Sequence, residues 1–143
     1  MRDKIFLDTN VMVYAYDKSA GEKHIKAREI LMELWESGYG VISIQVLKEF
    51  YVTTTQKIPN KLGIEIVSEI ISDFLNWEVV VNDGEGILEA ISLQQRYNLS
   101  FWDALIVEAA LESGCSFLYS EDLNPGQKIR GVQLKNPFTQ ILS

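Results

Sequence analysis

Four carboxylates carry the chemistry this sequence offers: Asp8, Glu49, Asp103 and Asp122. They are far apart in the chain, yet each stands beside the end of an expected strand or the start of an expected helix. Asp8 follows the apolar run KIFL (4–7). Glu49 lies on a helical stretch (45–55) directly after VISI (41–44). Asp103 comes three residues after Ser100, where another helix opens. Asp122 closes the triplet Ser120-Glu121-Asp122 after SFLY (116–119). In an open parallel sheet, ligands bind beyond the carboxyl ends of the strands. Carboxylates gathered there repel one another, so a cation must neutralise them. Oxygen-only ligands suit magnesium, with manganese as a substitute. Such a centre activates water and neutralises the oxygens of a phosphoryl group, which makes phosphodiester hydrolysis its natural use.

Each acid also has a purely structural explanation. Asp8 can cap a helix by accepting its first free N–H groups. Asp103 stands at capping-box spacing from Ser100. Asp122 precedes Asn124-Pro125-Gly126 and can anchor a turn. Glu49 fits such an explanation least well. Val46 and Val52, at three-residue spacing, put it on a face turned toward protein. A buried carboxylate needs a partner or a metal.

The elements that must position these groups alternate between strand and helix. KIFL, VISI, WEVVV (77–81) and SFLY are short apolar runs that read as strands. A short strand is expected near 131–134, after Pro125-Gly126. A helix can begin at VMVYAY, directly after Asp8-Thr9-Asn10. Residues 22–37 have helical periodicity, with Ile25, Ile30, Leu31, Leu34 and Trp35 expected inward. Residues 61–75 are amphipathic through Leu62, Ile66, Ile70 and Phe74, and further helices are expected over 84–97 and from Ser100 through Leu111. Strands alternating with helices imply parallel pairing and right-handed crossovers. The expectation is a single three-layer α/β domain over 1–143. No linker, internal repeat or low-complexity segment interrupts it.

Composition excludes several classes. With 143 residues, 47% of them hydrophobic and 23% charged, the chain can bury a core and is neither disordered nor fibrous. One cysteine, Cys115, makes no internal disulfide and no zinc framework, and one histidine, His24, removes mechanisms that need two imidazoles. Cys115 reads as packing and His24 as surface. The opening MRDKIFLDTN turns polar too soon for a signal peptide, and no apolar run approaches a membrane span, so a cytoplasmic protein is expected. The net charge of −7 does not advertise a nucleic-acid binder. The charge is uneven, however. Residues 62–127 hold 12 of the 20 acids and a single base, Arg96. Any grip on nucleic acid should therefore come from the first 61 residues and the tail, with Lys18, Lys48, Lys57 and Arg130 as candidates. Tyr14, Tyr16, Tyr51 and Trp102 could stack on bases, but their helical spacing reads as core.

The segments FLDTNVMVYAYD, ISIQVLKEFY, LSFWDALIVEAAL and FLYSEDLNPGQKIRGVQLKNPF resemble, in that order, those of a PIN domain. The likeness spans nearly the whole chain, and WDALI followed by SED is its most specific part. The chain is most similar to VapC-type toxins and related PIN ribonucleases. The resemblance implies about five mostly parallel strands with helices on both faces. It implies metal-binding, catalytic acids at Asp8, Glu49, Asp103 and Asp122, with Asp8 and Asp103 the most direct magnesium ligands. Asn10 and Ser120 match polar residues that line the family's pocket, and Glu121 is expected to point outward. The activity implied is magnesium-dependent hydrolysis of RNA, with a cognate antitoxin and a homodimer as partners.

Two other readings remain open. One is a PIN fold that holds RNA or protein without cutting, although the complete set of four acids argues against it. A phosphatase of the haloacid dehalogenase kind also begins with Asp after its first strand, but needs a second Asp where this chain has Asn10. Glycine-rich nucleotide loops and the GxSxG of serine hydrolases are absent.

Overall fold

Three residues of the run KIFL form β1 (Ile5–Leu7), and the rest of the molecule is built outward from that strand. The structure is a computed structural model describing residues 3–139. Residues 1–2 and 140–143, the two ends of the expected 1–143 domain, lie outside the described residues. The chain continues through α1 (Thr9–Tyr14), a short 3-10 turn (Lys18–Ala20) and α2 (Glu22–Ser37). It then forms β2 (Gly40–Ser43), α3 (Ile44–Gln56), α4 (Ile64–Phe74) and β3 (Glu78–Val80). Next come α5 (Gly84–Tyr97), α6 (Phe101–Glu112), β4 (Phe117–Tyr119), β5 (Lys128–Ile129) and β6 (Val132–Lys135).

The strands make one sheet in the order β3-β2-β1-β4-β6-β5. All neighbours are parallel except β5 and β6. Among the described residues the sheet therefore has six strands, one more than the sequence suggested. The extra strand is only two residues long and pairs back on β6 through Arg130 and Gly131, both at positive φ, the backbone that a tight hairpin needs. Two residues without an apolar run leave no periodic signal.

The topology fixes the place of the site. From β1 the chain first builds β2 and β3 on one side, and later β4 and β6 on the other. β1 is thus a topological switch point, and a crevice opens at the carboxyl ends of the strands. Helices flank the sheet. α6 is apolar nearly all round, and Ala104 through Ala110 are buried, as a helix packed on several sides requires. The core joins Phe6, Leu7, Ile42 and Leu118 of the sheet to Met12, Phe50, Phe74 and Ile106 of the helices.

Some expected facings are not found. Ile25 and Trp35 on α2 are exposed, and Ala27 takes the inward position beside Ile30, Leu31 and Leu34. Trp35 instead edges onto Phe74 and Trp77 at the rim of the core. On α4, Ile66 is exposed and Val67 is buried, one position round the helix. Both helices lie over the core with a narrower face than their apolar content suggests. Cys115 is buried in packing. No described helix is long and apolar enough to cross a membrane.

Candidate metal centre

Asp8 ends β1 and caps α1. Its Oδ1 accepts from the main-chain N–H of Thr9 at 2.7 Å, and its Oδ2 accepts from Ser120 Oγ at 2.7 Å. Ser120 follows β4, the strand beside β1, so the parallel ladder delivers both groups to the same sheet end. Only 7% of Asp8 is exposed. Burial is the main force raising its pKa, to about 6; Asp103 and Glu49 push the same way, and the bonds from Ser120 and Thr9 oppose them.

Glu49 comes from α3, which Ser43 caps at the end of β2 by accepting from Val46 N–H. Its carboxylate accepts from Thr9 Oγ1 at 2.6 Å and, more loosely, from Gln45 Nε2 at 3.4 Å. Gln45 Nε2 also donates to the main-chain oxygen of Trp102 at 3.3 Å, tying α3 to the first turn of α6. Asp103 sits in that turn, and its N–H donates to Ser100 Oγ at 3.1 Å. The start of α6 lies at the carboxyl edge of the sheet, which brings Asp103 to the same crevice. Burial raises its pKa; Ser100 opposes, and Asp122 and Glu49 add to the rise. Asp122 is exposed at the rim. It accepts from Asn10 Nδ2 at 2.9 Å, and its N–H donates to Ser120 Oγ at 3.1 Å.

Asp8, Glu49, Asp103 and Asp122 all line one cleft of about 650 Å³. Four segments separated by up to 114 positions of sequence therefore meet at one sheet end. Asn10 lies on the cleft wall and Ser120 lies buried behind Asp8. Among the described residues, no three His, Cys, Asp or Glu side chains already stand at metal-ligating spacing. Each of three carboxylates is instead held by a donor of its own: Asp8 by Ser120, Glu49 by Thr9 and Asp122 by Asn10. The donor set nevertheless fits a hard cation. Magnesium is bound through one or two carboxylates and keeps several waters, so it does not need three converged ligands.

The capping explanations hold alongside this arrangement, since Asp8 caps α1 and Ser100 caps α6. Neither accounts for the second bond to Asp8 or for the burial of its carboxylate.

The four candidate cations divide. Lys48 and Lys57 line the cleft. Lys18 lies exposed in the 3-10 turn, outside the cleft lining. Arg130 pairs with Glu89 of α5 at 2.8 Å, in a separate depression lined by Asp83, Glu108 and Glu112. Glu121 does not point free into solvent: it accepts from Tyr14 Oη at 2.6 Å and pairs with Lys23. His24 is half-buried, its Nδ1 2.9 Å from the carbonyl of Tyr14. Tyr14, Tyr16 and Tyr51 pack partly against the core. Trp102, expected in the core, is 62% exposed and forms part of the cleft.

Thr9 and Gln45 escaped the sequence reading. Gln45 is four residues before Glu49, a spacing that places the two on one helix face. Thr9 sits inside the DTN triplet, but its neighbours gave no sign that its hydroxyl would reach α3. Asp17 also reaches the cleft wall; its carboxylate is engaged locally by Ser19 N–H and Oγ.

Solved structures share this architecture. A toxin–antitoxin complex from Klebsiella pneumoniae is similar at TM-score 0.68 and 18% identity, over 94% of this chain and 98% of that one. VapC20 of Mycobacterium tuberculosis, a sarcin–ricin loop cleaving toxin, matches at TM-score 0.64 and 19% identity, over 83% and 90%. DNA-bound VapBC from Salmonella typhimurium matches at TM-score 0.66 and 19% identity, over 95% and 99%. At these identities the likeness is one of fold. No curated protein matches the chain in sequence. The family model of the PIN domain matches residues 5–128, and by that match the chain belongs to the PIN domain family.

Proposed function

We propose that this PIN domain is a magnesium-dependent endoribonuclease that hydrolyses RNA phosphodiester bonds, and that it is the toxin of a toxin–antitoxin pair. The observation that carries the reading is the meeting of Asp8, Glu49, Asp103 and Asp122 on one cleft wall at the switch point of the sheet. Asp8 and Asp103 are the groups to hold the cation directly, with Glu49 and Asp122 at its flanks. Magnesium bound there supplies neutralisation of the phosphoryl oxygens and a water acidic enough to attack phosphorus. The chain's own residues set the geometry. Ser120 and the Thr9 N–H fix both oxygens of Asp8, Thr9 Oγ1 fixes Glu49, and Asn10 fixes Asp122. Lys48 and Lys57 line the same cleft and offer positive charge to the backbone of an RNA strand.

The test is cleavage of total RNA by the purified protein with magnesium and with chelator. Cleavage that needs magnesium and vanishes in Asp103→Asn supports the reading. Retained RNA binding without any cleavage would turn it into the non-catalytic module. The company the fold keeps supports this partner, since one similar fold comes from a toxin–antitoxin complex. A small gene directly upstream, whose co-expression relieves growth arrest by this chain, is the expected antitoxin.

A further inference from the structure

The cleft is larger and less polar than four carboxylates and a hydrated ion require. Apolar side chains share its lining with the acids: Val52, Ile58 and Trp102 line the same 650 Å³. Trp102 is the most conspicuous part of this apolar lining. A tryptophan brings a large hydrophobic surface that proteins ordinarily cover, yet this one is 62% exposed. It is also held in place. Its main-chain oxygen accepts from Gln45 Nε2, its ring meets the Phe101 ring edge-on at 5.3 Å, and Ser100 caps the turn that carries it. Its chain neighbour is Asp103, so the indole and a carboxylate of the candidate centre spring from adjacent positions. Among the described residues, neither Lys48 nor Lys57 of this cleft is engaged in an ion pair. One cleft thus offers a cation-binding wall, free positive charge and a fixed aromatic surface.

We propose that Trp102 is the stacking platform for an unpaired nucleobase of the substrate, next to the phosphate held at the acids. This rests on the nuclease reading and adds to it the residue that selects unpaired over paired nucleotides. A base inside a duplex presents only its edge to a side chain, whereas an unpaired base can lay its face on the indole. Stacking tolerates every base, so Trp102 selects for the unpaired state and not for sequence.

The experiment compares Trp102→Ala and Trp102→Phe with the parent protein. The two RNA probes are a hairpin with an unpaired loop and a blunt duplex of the same stem. Affinities are measured in an Asp8→Asn background, so that binding is read whether or not the chain cuts. KM and kcat are measured with Asp8 restored. Trp102→Ala should bind the hairpin about 5- to 150-fold more weakly, the range for losing one stacked base. Its duplex affinity should not change, KM should rise with kcat held, and Trp102→Phe should recover most of the loss. Unchanged hairpin affinity in Trp102→Ala overturns the proposal, and so does an equal loss on both probes. Selective loss of hairpin affinity in a chain that never cleaves leaves the platform standing and removes the nuclease reading instead.

Discussion

Thr9 Oγ1 donates to Glu49 Oε1 at 2.6 Å, bridging two helices across 40 positions of sequence. The main-chain N–H of the same residue holds Asp8 Oδ1 at 2.7 Å, so one threonine orients two of the four acids. Thr9→Val keeps the shape and the N–H and removes only the hydroxyl. The fold should survive, with a loss of about 1 kcal/mol for the missing hydrogen bond. Cleavage should fall about 10- to 100-fold, as when a metal ligand loses its orienting partner. A melting curve beside an RNA cleavage assay reads both. Unaltered cleavage would show that Glu49 needs no orientation from Thr9.

Asp8 both caps a helix and faces the cleft, and Asp8→Asn separates those roles. Asn caps about as well as Asp. In chelator the variant should melt at or above the parent's temperature, because one charge leaves a self-repelling group. Magnesium at a hundredfold excess over its dissociation constant should stabilise the parent by about 2.7 kcal/mol. The variant should gain much less and should cleave far more slowly. Equal magnesium shifts and equal cleavage would leave Asp8 with its cap alone.

The raised pKa of Asp8 sets a pH dependence of definite sign. Its ordinary value is 3.8 and its folded value is about 6. Between these values the folded protein binds more protons than the unfolded chain. Stability in chelator should therefore fall as pH rises from about 4 to 6, approaching about 1.4 kcal/mol per pH unit from this one group. A metal must displace that proton, so the stabilisation by magnesium should grow as pH rises through 6. Melting in chelator and in magnesium across pH 4.5 to 7.5 checks both slopes. In Asp8→Asn both should be flatter.

The sequence made some of this legible because the signals were local. Asp8 and Ser100 announced helix starts by their residue type, and each caps the helix it precedes. The short apolar runs named β1 to β4, and their alternation with helices implied the parallel order that carries Asp8 and Ser120 to one edge. What was lost was tertiary. Whether the start of α6 lay at that edge or the opposite one depends on crossover geometry, which no local pattern encodes. Trp102 has the spacing of a core residue, yet the chain folds with its indole on the wall of a cleft. Arg130 shares its charge with Lys48 and Lys57, but the hairpin after β5 turns it toward Glu89. Ile25 and Ile66 belong to apolar stripes broader than the faces their helices bury.

That division among the cations gives a further prediction. Lys48 and Lys57 line the cleft beside the acids, whereas Arg130 is spoken for by Glu89 on another surface. Each phosphate contact on a single strand contributes about 0.7 to the slope of log affinity against log salt. If both lysines touch phosphates, Lys48→Ala and Lys57→Ala should each flatten that slope by about 0.7, and the double variant by about 1.4. Arg130→Ala should leave the slope unchanged. It should also cost well under 1 kcal/mol of stability, because the pair it breaks is exposed. The measurement is RNA affinity from low to moderate salt for the four variants, with melting curves as a control for folding. A slope that responds to Arg130 and not to the two lysines would move the RNA path off this cleft and onto the α5 side of the sheet.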